Sequence, residues 1–214
     1  MDSSFWQNRW RENRIGFHQG AVNSRLRRHF AEIAGEAKER VFIPLCGKSL
    51  DMLWIADQGH PVVGVELSRI AVEAFFNDNG LAPTITEHGA FTSYRVREIE
   101  LLRGDFLNLT RDDLNGASIV YDRAALVALP PEMRTTYADA HRDMLPSGSR
   151  ILLITFEYPE GLRQGPPFSI PLAEVKRLYG DAFDIRAIED ETTPTERNEE
   201  TATMVERTYI LTKR

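Results

Sequence analysis

Cysteine is nearly absent from this sequence: Cys46 is the only one among 214 residues. A single thiol cannot close an internal disulfide, and no histidine or cysteine lies near Cys46 at the spacing of a metal site. We therefore expect Cys46 to be a small buried thiol at the end of a strand, and we expect no metal.

Long apolar runs are also lacking. None approaches the roughly 20 residues of a membrane-spanning helix, and the N-terminal "MDSSFWQNRW" has neither the basic start nor the apolar stretch of a signal peptide. Internal repeats and low-complexity segments are absent as well. These absences favour a soluble, cytoplasmic protein that folds as one domain over residues 1–214.

Positive charge is in deficit, with 26 basic against 32 acidic residues and a formal net charge of −6. No overall field would draw such a chain to nucleic acid or to an anionic membrane, so a small-molecule partner is expected. The basic run "RLRRHF" at residues 25–30 has apolar residues at helical spacing, which is typical of the solvated side of an amphipathic helix. No heptad seam is present, which favours a monomer.

Strands and helices alternate along the chain. Strands are predicted at "RVFIPLC", "PVVGVELS", "TITEHGAFTSYRV", "REIELLRGD", "ASIVYDR" and "SRILLITFEY", and helices at residues 23–39, "SLDMLWIADQG", "RIAVEAFFNDNG", "PEMRTTYADAHRDML" and "PLAEVKRLYG". This alternation predicts a parallel sheet with helices on both faces. The final strands, "FDIRAIE" and "TMVERTYILTK", have no helix between them and so predict an antiparallel hairpin at one edge.

Glycine is scarce where a nucleotide-binding loop would need it. The stretch "VFIPLCGKSLDMLWIADQGHPVVGVELS", residues 41–68, has the strand-helix-strand order of a dinucleotide fold, but Gly47 stands alone where three glycines are usual. A pyrophosphate needs a turn glycine and a second glycine that lets the phosphate approach. The loop therefore suits a ligand without phosphate at this point.

Acidic residues follow two of the predicted strands. Glu66 lies 19 positions after Gly47, where a carboxylate can accept hydrogen bonds from both hydroxyls of a ribose, and S-adenosylmethionine is an adenosine without phosphates. The alternative for Glu66 is an exposed residue before a helix capped by Ser68. After the third core strand, Asp105 is placed to accept the adenine amino group, with Phe106 against the ring.

Three other functions fit parts of this pattern. A nicotinamide-dependent reductase shares the strand-helix-strand start, although the missing glycines count against it. A non-catalytic adenosyl-binding module would have the same loop but would catalyse no reaction. A nucleic-acid methyltransferase is disfavoured by the acidic charge and by the lack of a basic stripe.

Several longer stretches resemble bacterial thiopurine S-methyltransferases. They are "FWQNRW" followed by "GFHQ", "FIPLCGKSLDMLWIADQGHPVVGVELS", "GDFLNL", "YDRAALVALP" and "RTYILT", and they span nearly the whole chain. The resemblance implies methyl transfer from S-adenosylmethionine to the sulfur of aromatic or heterocyclic thiols such as thiopurines. It also leaves selenium and tellurium compounds as possible acceptors.

The resemblance implies a fold as well. This is an α/β, doubly wound, mostly parallel seven-stranded Rossmann-like methyltransferase sheet with an antiparallel C-terminal strand, a core over residues 41–214 and an N-terminal helical lid within residues 1–40. The alternative for the N-terminal segment is a hydrophobic anchor, because Trp6 and Trp10 are four apart and share one helical face.

Site residues follow from the resemblance by position. Trp10, Leu45, Glu66 and Arg123 are implied as cofactor contacts, with Asp105 and Phe106 at the adenine, and Phe17, His18 and Arg197 at the acceptor. For Arg123 we expect a catalytic role, as the cation that favours an acceptor thiolate. The alternatives are a surface arginine at 123, a structural histidine at 18, and an Arg197 paired with neighbouring glutamates. Loops 158–170 and 191–202 are expected to form the acceptor pocket.

Overall fold

The computed structural model of this chain describes residues 3–197 and 200–214. Two compact units are present, Met1–Val120 and Tyr121–Arg214. The α-helices are α1 (Ser3–Arg11), α2 (Ser24–Ala34), α3 (Asp51–Asp57), α4 (Arg69–Asp78), α5 (Pro131–Met144) and α6 (Leu172–Tyr179). The strands are β1 (Val41–Ile43), β2 (Val62–Glu66), β3 (Thr84–His88), β4 (Phe91–Val96), β5 (Ile99–Arg103), β6 (Ile119–Arg123), β7 (Arg150–Glu157), β8 (Phe183–Arg197) and β9 (Glu200–Lys213). Within these described residues no helix combines the length and apolarity needed to cross a membrane.

The first unit is built on the strand order β3-β4-β5-β2-β1, followed by the first residues of β6. Its central pairs are parallel: β1 pairs with β2 from Val41↔Val62, β2 with β5 from Val62↔Ile99, and β1 with β6 from Val41↔Ile119. This confirms the parallel sheet predicted from the alternation of strands and helices. Because the strands are parallel, the segments that follow β1, β2 and β5 lie at the same edge of the sheet.

The central strands form because their residues are apolar on both faces. Every residue of β1 and β2 is buried, and Val41, Phe42, Val62 and Val63 have no exposed surface. β-Branched side chains pack well in such doubly covered strands. Burial of this kind contributes about 1.5–3 kcal/mol for each large apolar side chain.

Helix α2 is shorter than the expected range of 23–39. The Asn23 side chain caps it by accepting hydrogen bonds from the N–H groups of Arg25 and Leu26, and it ends at Gly35, which has a φ of 60°. Glycine takes this left-handed conformation without strain and so terminates helices. The helix therefore ends at Gly35, although apolar residues at helical spacing continue beyond it.

The edge of the first unit differs from the prediction. The segment "TITEHGAFTSYRV" was expected to be one strand, but the chain turns at Gly89, which has a φ of 58°, and forms the antiparallel pair β3 and β4. Strand β4 then pairs antiparallel with β5. The described residues accordingly hold nine strands instead of the seven implied by the resemblance.

The second unit contains the late hairpin. Strand β9 is antiparallel to both β7 and β8, which confirms the expected antiparallel C-terminal strand. The prediction of a loop over residues 191–202 was wrong for the described residues of that range, since β8 continues to Arg197 and β9 begins at Glu200, with which Arg197 pairs. Residues 198 and 199 lie outside the described part of the chain.

A cluster of buried polar side chains lies between β6, α5 and α6 in the second unit. Tyr137 donates a hydrogen bond to Asp122 at 2.7 Å, and its ring makes an edge contact with His141 at 4.6 Å. The Nδ1 atom of His141 is 3.2 Å from the Tyr179 hydroxyl. All four residues are at most 1% exposed. Burial lowers the pKa of His141 to about 3 and raises that of Asp122 to about 6.

Because His141 is buried, we expect the free energy of unfolding to fall in acid. The folded state binds fewer protons than the unfolded chain between pH 6.5 and 3, so the stabilisation is present above pH 6.5 and is lost as the pH falls. From pH 7.5 to 5 the loss is about 2 kcal/mol. His141→Phe removes this titration, and chemical denaturation at both pH values will show a smaller loss in the variant. An equal loss in His141→Phe and in the unmodified protein would contradict this assignment.

Candidate functional site

The loop after β1 has a strained backbone. Leu45 has a φ of 47°, in the left-handed region that side-chain-bearing residues rarely adopt. The following residue, Cys46, anchors the loop by donating its N–H to the Val65 carbonyl at 3.0 Å. Cys46 is buried, as predicted, and burial raises the pKa of its thiol. Strain of this kind is found at functional sites, where the surrounding structure holds it in place.

The indole of Trp10 packs closely against Gly47. Its φ is 55°, and a Cβ added there would lie 3.2 Å from Cζ2 and 3.6 Å from Cη2 of Trp10. The indole of Trp10 is 7% exposed. The single glycine is therefore required both by its backbone conformation and by the close approach of Trp10.

Glu66 links the ends of two neighbouring strands. Its Oε2 accepts the Gly47 N–H at 2.9 Å, and its Oε1 accepts the Ser68 N–H at 2.7 Å. The side chain is 7% exposed, so the alternative of an exposed glutamate was wrong, although Ser68 does cap α4 through a bond from the Ala71 N–H. Burial raises the pKa of the Glu66 carboxyl, and the N–H bonds oppose that rise.

The Glu66 carboxylate is a hydrogen-bond acceptor held in one orientation by the backbone. A carboxylate can accept about four hydrogen bonds in all, and the backbone N–H groups of Gly47, Ser68 and Leu67 bond to Glu66, so acceptor capacity remains for a ligand. The backbone bonds also fix the orientation of the carboxylate before any ligand arrives. A preorganised acceptor pair at the carboxyl end of a parallel strand is the arrangement that binds a ribose in such sheets.

The end of β5 lies beside Glu66. Arg103 pairs with Glu66 in the sheet, and the Gly104 N–H donates to the Glu66 carbonyl at 3.0 Å. Asp105 is exposed, and its Oδ1 accepts the Leu107 N–H at 2.9 Å. Phe106 is 5% exposed, and its ring stacks on Phe42 with centroids 6.3 Å apart. Asp105 thus faces solvent near the end of β2, whereas the Phe106 ring belongs to the core.

The N-terminal segment is held together by aromatic rings. Phe17 makes edge contacts with both Trp6 and Trp10, at centroid distances of 5.7 and 5.5 Å. The two tryptophans share one face of α1, as predicted from their spacing. His18 follows Phe17, is partly buried, and donates its backbone N–H to Ile15. Through Trp10 this cluster lies directly on the loop after β1.

Two of the expected residues lie in the second unit. Arg123 ends β6 and is partly buried; within the described parts of the chain no hydrogen bond or ion pair engages its guanidinium. Ala124, the next residue, has a φ of 62°. Arg197 is the last residue of β8, and its side chain lies outside the described part of the structure.

The first unit therefore brings together Trp10, Phe17, Leu45, Glu66 and Asp105, while Arg123 and Arg197 belong to the second. In the described residues, no group of three or more His, Cys, Asp or Glu side chains is arranged to hold a metal ion. One buried residue of the strand ends was missed: Asp122, directly before Arg123. The one signal that could have identified it is a carboxylate within the predicted buried strand "ASIVYDR".

Gly47→Ala tests the packing of the loop. The left-handed φ costs a residue with a side chain about 1–2 kcal/mol, which lowers Tm by roughly 2–4 °C for each kcal/mol. Gly80→Ala is the matched control, because Gly80 has a φ of 63° and nothing within 4 Å of an added Cβ. We expect both variants to lose stability and only Gly47→Ala to change tryptophan fluorescence. Equal fluorescence changes would contradict the contact between Gly47 and Trp10.

Comparison with known proteins identifies the family. The whole chain, residues 1–214, matches the sequence profile of Thiopurine S-methyltransferase (TPMT). The chain is 47% identical over 191 residues to a thiopurine S-methyltransferase of Pseudomonas fluorescens, covering 89% of this chain and 88% of that protein. It is 45% identical over 218 residues to the enzyme of that name from Pseudomonas entomophila, with both chains fully covered.

A solved structure supports the fold. The 1,6-didemethyltoxoflavin-N1-methyltransferase of Burkholderia thailandensis, determined with bound 1,6-didemethyltoxoflavin and S-adenosylhomocysteine, superimposes with a TM-score of 0.59 at 16% identity. The match covers 99% of this chain and 87% of that one. The chain accordingly has the α/β methyltransferase fold, and it belongs to the thiopurine S-methyltransferase family.

Proposed function

We propose that this protein transfers a methyl group from S-adenosylmethionine to the sulfur of aromatic or heterocyclic thiols such as thiopurines. The observation that carries the proposal is the buried Glu66 carboxylate, oriented by the N–H groups of Gly47 and Ser68 beside a loop on which the Trp10 indole packs. Membership in the family and the similarity to thiopurine S-methyltransferases of other bacteria support the same activity.

The residues around Glu66 would hold the cofactor. Glu66 would accept the ribose hydroxyls, and Asp105 would accept the adenine amino group, since it is exposed beside Glu66. Leu45 and Trp10 would contact the rest of the molecule from the loop and from α1. Because the Phe106 ring is stacked on Phe42, we assign it a supporting position behind the adenine. When bound, S-adenosylmethionine supplies a methyl group on a positively charged sulfur.

The acceptor side needs positioning more than a base. An ordinary thiol has a pKa of about 8.5 and is partly ionised near neutral pH, and heteroaryl thiols are more acidic. Arg123 would favour the thiolate through its charge, and its guanidinium has no ion-pair partner in the described residues that would compete. Phe17, His18 and Arg197 are proposed to line the acceptor. Alignment of the acceptor sulfur with the methyl group, together with exclusion of water from the site, would supply the rest of the rate acceleration.

The remaining expectations stay proposals. The segment within residues 1–40 would act as a lid, with Trp10 on its inner side. The seven strands other than β3 and β4 would correspond to the methyltransferase sheet, and residues 1–214 would work as one domain. We further propose a cytoplasmic monomer, with selenium and tellurium compounds as additional acceptors.

The test is methyl transfer from labelled S-adenosylmethionine to 6-mercaptopurine by the purified protein, followed by separation of the methylated product. We expect labelled 6-methylmercaptopurine in amounts that scale with protein. If S-adenosylmethionine binds but no thiol, selenium or tellurium acceptor is methylated, the chain is an adenosyl-binding module and the proposal is wrong.

A further inference from the structure

We propose that Asp122 is a positioning residue for this reaction: its buried carboxylate fixes the turn after β6 and thereby the direction in which Arg123 is presented. The inference rests on the proposed function, because the role of Arg123 belongs to it. It deepens that function by identifying what holds the acceptor-side cation in place.

Strand geometry separates the two neighbouring side chains. Successive residues of a strand point to opposite faces, and Asp122 is fully buried while Arg123 is partly exposed. The carboxylate thus lies on the inner side of β6 and does not neutralise the guanidinium beside it. The direction of the Arg123 side chain therefore depends on the backbone conformation at the end of β6.

The carboxylate spans the strained residue that follows Arg123. Asp122 Oδ1 accepts the Leu126 N–H at 3.1 Å, and the Ala125 N–H bonds to the same carboxylate. Ala124 lies in the chain between Asp122 and these two donors. Its φ is 62°, a conformation that costs a side-chain-bearing residue about 1–2 kcal/mol. The bonds from Asp122 close the turn over Ala124 and maintain this conformation.

Helix α5 anchors the carboxylate from the other side. The Tyr137 hydroxyl donates to Asp122 Oδ2 at 2.7 Å, and Tyr137 in turn packs against His141. Among the described residues, the titratable groups that face Asp122 are Tyr137 from α5 and Tyr179 from α6, with His141 beside both rings. The turn is therefore connected to two packed helices rather than to solvent.

A contribution to stability alone does not explain why a carboxylate is buried at position 122. Burial raises the pKa of Asp122 to about 6, which means that the ionised form is held in the folded protein against a penalty. An apolar or amide side chain of similar size would avoid the penalty. A buried carboxylate that carries this penalty at a strand end is expected to serve the geometry of the site.

Double-variant kinetics test the proposal. For Asp122→Asn we expect kcat for 6-mercaptopurine to fall roughly 10- to 100-fold, with the Kd for S-adenosylmethionine within about twofold. In the Arg123→Ala background the same change should alter kcat less than about twofold, because Asp122 acts through Arg123. A role in general folding would lower kcat by the same factor in both backgrounds, and that result would overturn the proposal.

Tyr137→Phe supplies a second readout if Asp122→Asn does not fold. Loss of the hydroxyl that lowers the pKa of Asp122 will raise that pKa further, so the acidic limb of the kcat profile will move to higher pH. Tyr179→Phe is the matched control, since Tyr179 is equally buried, and it should leave the profile in place. Equal shifts in both variants, or none in Tyr137→Phe, would reject the positioning role. A wild-type protein that methylates no acceptor would reject the proposed function and this inference with it.

Discussion

Replacing Glu66 with alanine is expected to weaken S-adenosylmethionine binding by about 10²- to 10⁴-fold. Hydrogen bonds to a charged group contribute about 1.5–3 kcal/mol each, and two ribose hydroxyls bring the loss to about 3–6 kcal/mol. The variant also leaves the N–H groups of Gly47 and Ser68 without their acceptor. Isothermal titration calorimetry gives the Kd, and thermal unfolding shows whether the fold is retained.

Two further variants separate charge from shape. Glu66→Gln keeps one acceptor oxygen and the side-chain volume, so it should fall between wild type and alanine. Glu73→Ala removes an exposed carboxylate of α4 that pairs with Arg69, and it should leave the Kd unchanged. Retention of wild-type affinity in Glu66→Ala would rule out Glu66 as the ribose acceptor.

Replacing Arg123 with alanine should reduce turnover by about 10²- to 10³-fold, the range for a lost group that stabilises charge during the reaction. The Kd for S-adenosylmethionine should change much less, because the adenosine contacts assigned to Glu66 and Asp105 remain. Initial rates at saturating cofactor, with calorimetry in parallel, distinguish the two quantities.

Arg123→Lys and Arg186→Ala complete this comparison. Lysine keeps the charge without the planar fork of the guanidinium, so partial activity is expected. Arg186 is an exposed arginine on β8 in the same unit, and its removal should leave kcat unchanged. Full activity of Arg123→Ala would remove Arg123 from the mechanism.

The sequence predicted the parts of the site that depend on local pattern. A run of buried β-branched residues ending in Glu66 indicates both a central strand and the edge at which it ends. Gly47 was identified by the same reasoning, since its position after β1 follows from the strand. What the single glycine accommodates was not predictable, because Trp10 is distant in sequence and only the folded chain brings its indole over Gly47.

The sequence pattern also could not predict the direction in which side chains at the strand ends point. The contact of the Phe106 ring with adenine stays a prediction, but its stacking on Phe42 could not be read from the sequence, because Phe42 belongs to a different strand. Asp122 was overlooked because the pattern around it is that of an ordinary buried strand, and its partner Tyr137 belongs to a later helix. The strand break at Gly89 was missed because the residues on either side continue to alternate.

The most direct test of the account is a comparison of ligands for the unmodified protein. Calorimetry with S-adenosylmethionine, S-adenosylhomocysteine and NAD asks whether the single-glycine loop and Glu66 select adenosine without phosphates. The account predicts binding of the first two ligands and none of NAD. Binding of NAD at comparable affinity, or no binding of S-adenosylmethionine, would contradict it.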